Sequence, residues 1–196
     1  MKIVTLLLFA LLASLISYSQ EPAEGVFPLK DSSIYYEKIV SIDSSTKENI
    51  YKGVKSWGVN AFRSQKDVLQ ADDKELGLIA YKYWFDETFN APPVLGTKVS
   101  SEWKYWATMK IFIRDAKVKI IVQDVDIKEI GGATPSIRTL RADIEPYYKK
   151  GMFGKSYRDK YFEEAKINFQ KADKSIVAMI DELILYLKSG KSEFDF

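Results

Sequence analysis

The strongest pattern along the chain is a two-residue alternation. From Trp103 to Arg114, the side chains Trp103, Tyr105, Ala107, Met109, Ile111 and Ile113 share one phase, while Lys104, Thr108, Lys110 and Arg114 share the other. Successive side chains of a strand point to opposite faces, so this phasing predicts a half-buried antiparallel strand. Arg114-Asp115-Ala116-Lys117 is short enough for a tight connection, and 118–127 reads as the return strand. Upstream, the β-branched and aromatic run Ile34–Ile42 predicts a first strand. Residues 67–72 and 76–85, joined at Asp72-Asp73-Lys74-Glu75, predict a further strand pair. Asn90-Ala91-Pro92-Pro93 is expected to end that pattern and open a loop, because proline donates nothing to a ladder.

Two segments carry helical spacing instead. Ile50, Val54, Trp57 and Ala61 form one apolar stripe. Ser45-Thr46-Lys47-Glu48 precedes it as a capping box, with Ser45 expected as N-cap. Gly53 and Gly58 inside this helix each cost roughly 1 kcal/mol relative to alanine, which implies close packing against a sheet. A second, longer helix is expected over 158–188, with Phe162, Ala165, Phe169, Ala172, Ile176, Met179, Leu183 and Tyr186 in steps of three and four. Gly190 follows it as a C-cap signal. The order β-α-β-β-β-β-α places the strands in consecutive hairpins. That predicts an α+β domain: an antiparallel five-stranded sheet with two helices packed on one face, the C-terminal one long. Residues 31–190 are expected to form this single domain, after a loose lead-in over 20–30 and before a short tail over 191–196.

The start of the chain changes the setting. Met1-Lys2, an apolar run from Ile3 to Ile16, and Ser17-Tyr18-Ser19-Gln20 make a secretory signal peptide over 1–19, with small residues at the two recognition positions. An apolar run of about 14 residues falls short of the ~20 that cross a bilayer, and no second run follows. The protein is therefore expected to be exported, in the periplasm or outside the cell, with no membrane span after cleavage.

Composition then closes off chemistries. There is no cysteine and no histidine, so disulfides, thiol nucleophiles, thiolate metal sites and histidine general bases are all excluded. A Ser-His-Asp triad and an HExxH zinc site are likewise excluded. No metal site and no cofactor are expected. Lys and Arg number 29 against 27 Asp and Glu, a balance that supplies no electrostatic footprint for nucleic acid.

The opening FPLKDSSIYYEKIVSIDSSTKENIYKGVKSWGVNAF, the following KDVLQADDKELGLIAYKYW and the hairpin MKIFIRDAKVKIIVQDVDI together resemble a family of bacterial exported domains of unknown function with a TBP-like fold, after the TATA-box-binding protein. The likeness runs over residues 27–127 and, in architecture alone, the last helix. It implies the same sheet-and-helix fold, and it implies no activity, since a fold does not carry function with it. TATA-binding proteins double the unit and wedge aromatics into a minor groove. A single unit with balanced charge and an export signal implies no nucleic-acid partner.

The remaining motifs are weak. Gly154-Lys155-Ser156 lacks the glycine spacing of a phosphate loop and reads as a helix start, with Ser156 capping and Asp159 in the first turn. Asp124 and Asp126 would share a strand face about 7 Å apart, an arrangement able to hydrolyse a glycoside or, with Asp72 and Asp73, to hold a cation. A solvated strand face accounts for them equally. The stretch from Gly131 to Lys155 is long for a compact domain, and it interleaves Arg138, Arg141, Tyr147 and Tyr148. Arginine and tyrosine are favoured interface anchors, so these four are the candidate partner-binding residues; the alternative is a structured flap whose tyrosines pack on the sheet.

The resulting expectation is an exported, non-catalytic binding domain for another protein or an envelope component. The alternatives are a hydrolase using Asp124 and Asp126, or a structural subunit of an envelope assembly. Self-association through the apolar stripe of the last helix is the further partner expectation. If the signal peptide is read correctly, N-terminal sequencing of protein from the envelope fraction should find a chain starting at Gln20 or within two residues of it. Intact Met1 on membrane-bound protein would show an anchor instead.

Overall fold

The computed structural model describes residues 26–190, apart from 32, 63, 95 and 130–154. In chain order the elements are β1 (Leu29–Lys30), β2 (Ser33–Ile34), β3 (Tyr36–Ser41), α1 (Lys47–Ala61), α2 (Gln65–Val68), β4 (Leu69–Asp73), β5 (Leu78–Val94), β6 (Thr97–Arg114), β7 (Lys117–Glu129) and α3 (Lys155–Lys188). Five of the strands form one antiparallel sheet in the order β3-β7-β6-β5-β4. β1 and β2 make a separate two-stranded hairpin. The signal-peptide segment and the C-terminal tail lie outside the described residues.

The alternating phase of β6 is realised along its length. Trp103, Tyr105, Ala107, Met109, Ile111 and Ile113 are buried, as are Ile79, Tyr81 and Tyr83 beside them on β5 and Val118, Ile120 and Val122 on β7. Both helices cover this face. The Tyr81 hydroxyl donates to the Val54 carbonyl of α1 at 3.4 Å, and the Tyr105 hydroxyl donates to Asn168 Oδ1 of α3. The rings between them form two clusters: Trp57, Phe62, Tyr81 and Tyr83 at α1, and Phe89, Trp103 and Phe169 at α3.

α1 starts one residue later than the capping box implied. Its N-cap is Thr46, whose side-chain oxygen accepts from the Asn49 amide at 3.2 Å. Ser45 is instead turned into the β6–β7 corner, its carbonyl accepting from Ala116 N at 2.8 Å. The two glycines of α1 do mark close packing, but against different partners. A Cβ on Gly58 would sit 2.7 Å from Tyr81 Cζ and closer still to its oxygen, on the sheet side. A Cβ on Gly53 would sit 2.9 Å from Leu187 Cδ2, on α3.

α3 is fastened by polar bonds as well as by its apolar stripe of Ala165, Phe169, Ala172, Ile176 and Leu183. Tyr36 donates to Asp173 at 2.7 Å, Asn168 Nδ2 to the Thr88 carbonyl at 3.1 Å, and Ser175 to Glu87 at 2.8 Å. Burial, then the bond to Asp173, pushes the Tyr36 hydroxyl far above its ordinary pKa, so it stays a donor. The stripe expected as a self-association seam is thus consumed within the chain. Gly190 ends the helix in the left-handed region, φ +64. Ser156 lies in the first turn of α3, which begins at Lys155.

Three further expectations are corrected. The lead-in is not loose throughout: Phe27 is buried against Phe169, with ring centroids 5.8 Å apart, and Leu29–Lys30 pairs with Ser33–Ile34. Asp67 and Val68, expected to begin a strand, instead end the short helix α2, and the strand starts at Leu69. β5 runs on through Pro92 and Pro93 to Val94. Its register to β6 shifts between Ala91 and Val94, and β4 pairs only with Leu78–Tyr81, so the prolines lie at the end of a strand with no described second neighbour.

The two glycines of α1 make a paired prediction. Gly58→Ala meets the end of a fully buried ring and should lower stability by about 1–3 kcal/mol. Gly53→Ala meets only the tip of a leucine, and its gain in helix propensity of about 1 kcal/mol should offset the adjustment. Thermal melts of the two variants should therefore separate clearly, with Gly58→Ala the lower.

Candidate functional site

With both helices on one side, the even-numbered side chains of β5 and β6 face away from the core. The register sets Lys82 opposite Thr108, Trp84 opposite Trp106 and Asp86 opposite Lys104. Trp84 is 47% exposed and Trp106 is half-buried. Their ring centroids lie 6.3 Å apart at a 53° tilt, a cross-strand aromatic pair on the solvent side of the sheet. Lysines lean onto the pair from both sides. Lys104 Nζ stands 3.6 Å from the Trp84 centroid, and Lys82 Nζ stands 6.0 Å from that of Trp106. Both arrangements lie within cation–π range, where the ring quadrupole attracts an ammonium.

The same face continues toward the β6–β7 turn. Lys110 lies between Ala80 and Ile121, and Phe112 between Leu78 and Lys119, with Ile39 beyond. Phe112 and Ile39 are exposed. Lys119 bonds Glu37 at 3.0 Å, and the Glu37 carboxyl is held below its usual range by the Tyr35 hydroxyl and by Lys119. Lys55 pairs with Asp72 and Lys74 with Glu48 elsewhere among the described residues. Lys82, Lys104 and Lys110 take part in none of the three. The open face is therefore a mixed aromatic and aliphatic surface on which Lys82, Lys104 and Lys110 stand among Asp86, Glu102 and Asp126.

A bulge shapes one side of it. Trp106 pairs with Asp126 and Thr108 with Gln123, so β7 carries one more residue than β6 across this step. Asp124 absorbs it with φ 55, in the left-handed region. Bulges sharpen strand twist and re-aim neighbouring side chains, and this one adjoins Trp106.

The bulge also overturns the regular two-residue spacing expected for Asp124 and Asp126. Both are exposed, and Gln123 Nε2 donates to Asp124 at 3.2 Å. A general-acid carboxyl is set in an enclosed, partly apolar site, which an exposed bulge does not supply. Asp72 and Asp73 are not brought to them. Asp72 accepts from Tyr51 and Lys55 on α1; partial burial pushes its carboxyl up, but the two donors outweigh this and hold it low. Asp73 caps the turn by accepting from Leu76 N at 2.8 Å. Among the described residues, no three or more acidic side chains are gathered as for a metal ion. Arg138, Arg141, Tyr147 and Tyr148 lie outside the described residues.

Sequence reasoning passed over Trp84 and Trp106. The signal was present: both sit in the polar phase of their strands, where a tryptophan has no core to enter.

Residues 36–128 match the family model of a domain of unknown function (DUF4468) with TBP-like fold. The match spans β3 to β7, and so includes α1 and the whole open face, and it stops before α3. A TBP-like protein from Parabacteroides distasonis is similar at 18% identity over 53% of this chain, with a TM-score of 0.38. This chain spans 62% of that structure's length. A DUF4468 family protein from Bacteroides ovatus is similar at 10% identity over 82% of this chain and 91% of that one, with a TM-score of 0.49. No curated protein matches. No helix among the described residues is long and apolar enough to cross a membrane.

The two faces should respond differently to truncation. Trp103→Ala empties a fully buried site stacked on Phe89 and should cost about 3–5 kcal/mol. Trp84→Ala removes a half-exposed ring and its pairing, at about 1–2 kcal/mol. Denaturant titration of both variants should show this order.

Proposed function

We propose that this TBP-like domain is the non-catalytic binding module of an exported protein, and that its partner docks on the open sheet face around Trp84 and Trp106. The observation that carries the reading is a tryptophan pair held in solvent on a rigid sheet, with two ammonium groups beside it. Contiguous exposed apolar patches mark interaction sites. Tryptophan is also among the side chains that dominate binding energy once a partner excludes water. Strand positions fix the rings better than a loop would, so little ordering entropy is lost on docking.

Export rests on the charged start, apolar run and small residues of Met1–Gln20. The partner class this supports is a protein or another component of the cell envelope. The exposed, bulged setting of Asp124 and Asp126 favours binding over the hydrolase alternative. Arg138, Arg141, Tyr147 and Tyr148 are retained as a second candidate surface on sequence grounds.

The test is capture from envelope extract by immobilised protein starting at Gln20, compared with two variants. Trp84→Ala/Trp106→Ala should lose the captured component while circular dichroism stays unchanged. The variant with Arg138, Arg141, Tyr147 and Tyr148 all replaced by alanine should retain it. The reverse result would move the site to that second surface.

A further inference from the structure

We propose that the open face is a binding site for an acidic glycan, a sugar polymer bearing carboxylate, sulfate or phosphate groups. The inference rests on the preceding reading of the face and specifies its ligand. Three features point the same way. The first is the platform: Trp84 and Trp106, with centroids 6.3 Å apart, offer adjoining apolar surfaces to consecutive sugar rings, whose C–H faces pack on aromatic rings. The second is the surround. Thr88, Asn90, Ser100 and Thr108 lie in the same phase of β5 and β6 as the two tryptophans. They supply neutral donors and acceptors of the kind that match sugar hydroxyls. The third is the placing of charge: Lys82 and Lys104 sit against the rings, and neither they nor Lys110 is in an ion pair among the described residues, although Asp86, Glu102 and Asp126 share the face.

The geometry also supplies selectivity. Lys104 Nζ rests 3.6 Å over the Trp84 ring, so a neutral sugar must displace an ammonium from a favourable cation–π position before it can stack. An acidic substituent draws that ammonium aside into a charge-assisted hydrogen bond and uncovers the ring in the same step. Nucleic acid fits less well. Asp86, Glu102 and Asp126 lie on this face among the lysines, and the chain's formal charge is only +2. A polyphosphate bearing one charge per nucleotide would meet those carboxylates, whereas a glycan with widely spaced acids would not.

Titration calorimetry on protein starting at Gln20 tests this with three probes: a hyaluronan oligosaccharide, with one carboxylate on every second ring, a largely methyl-esterified oligogalacturonate with sparse free acids, and a neutral cello-oligosaccharide. At least one acidic probe should bind ten-fold or more tightly than the neutral one, with affinity falling as salt rises. Trp84→Ala/Trp106→Ala should weaken it at least ten-fold. Lys104→Ala should remove the preference, weakening the acidic probe while leaving the neutral one equal or tighter. Failure of both acidic probes to bind, equal binding of the neutral probe, or indifference to the tryptophan variant overturns the proposal. A protein or single-stranded oligonucleotide that binds wild type and is lost in Trp84→Ala/Trp106→Ala would overturn the glycan while keeping the face. An envelope partner captured equally well by that variant would overturn both.

Discussion

Six side chains of β6, from Trp103 to Ile113 in steps of two, are each at most 1% exposed, and everything else in the sheet answers to the helices that cover them. Two helices suffice to cover one face of a five-stranded sheet, and both are spent on the same side. The inner face then carries most of the aromatic burial, the largest favourable contribution available to a chain with no disulfide to lean on. The helices lie close: Gly58 is required by the approach of Tyr81, while at Gly53 only the tip of Leu187 comes near.

The second consequence falls on the other face. Strand alternation cannot bury both phases against a single helical layer, so whatever occupies the even positions of β5 and β6 faces solvent. Lysine, threonine and asparagine there need no explanation, but tryptophan does. Trp84 and Trp106 are placed directly opposite one another by the register, and Lys82 and Lys104 are placed on the diagonals. The bulge at Asp124 lies next to this pair and interrupts the alternation of β7 where a flat ladder would otherwise continue.

The division of labour between the matched region and the last helix follows the same line. Residues 36–128 contain the sheet, α1 and the open face, while α3 supplies the second half of the cover. Its attachment includes hydrogen bonds that must be satisfied once buried: Tyr105 and the Thr88 carbonyl to Asn168, and Tyr36 to Asp173. Each orphaned partner would cost about 1–3 kcal/mol, so these bonds set the position of α3 on the sheet as well as its strength.

The sequence by itself determined the fold class, the strand order along the chain and the buried phase of β6, because alternation and helical spacing are local consequences of backbone geometry. It also determined what chemistry is missing, since no packing can supply histidine or cysteine. Boundaries set by competition between neighbours were not local. Thr46 took the cap because Ser45 was needed at the β6–β7 corner, and Phe27 joined the core because Phe169, more than a hundred residues on, offered a ring to pack against. The open face was decided only by tertiary structure. Trp84 and Trp106 each stood out in the sequence only as a tryptophan in the polar phase of a strand, and it was the register that set them opposite one another and the helices, both on the other side, that left them exposed to water.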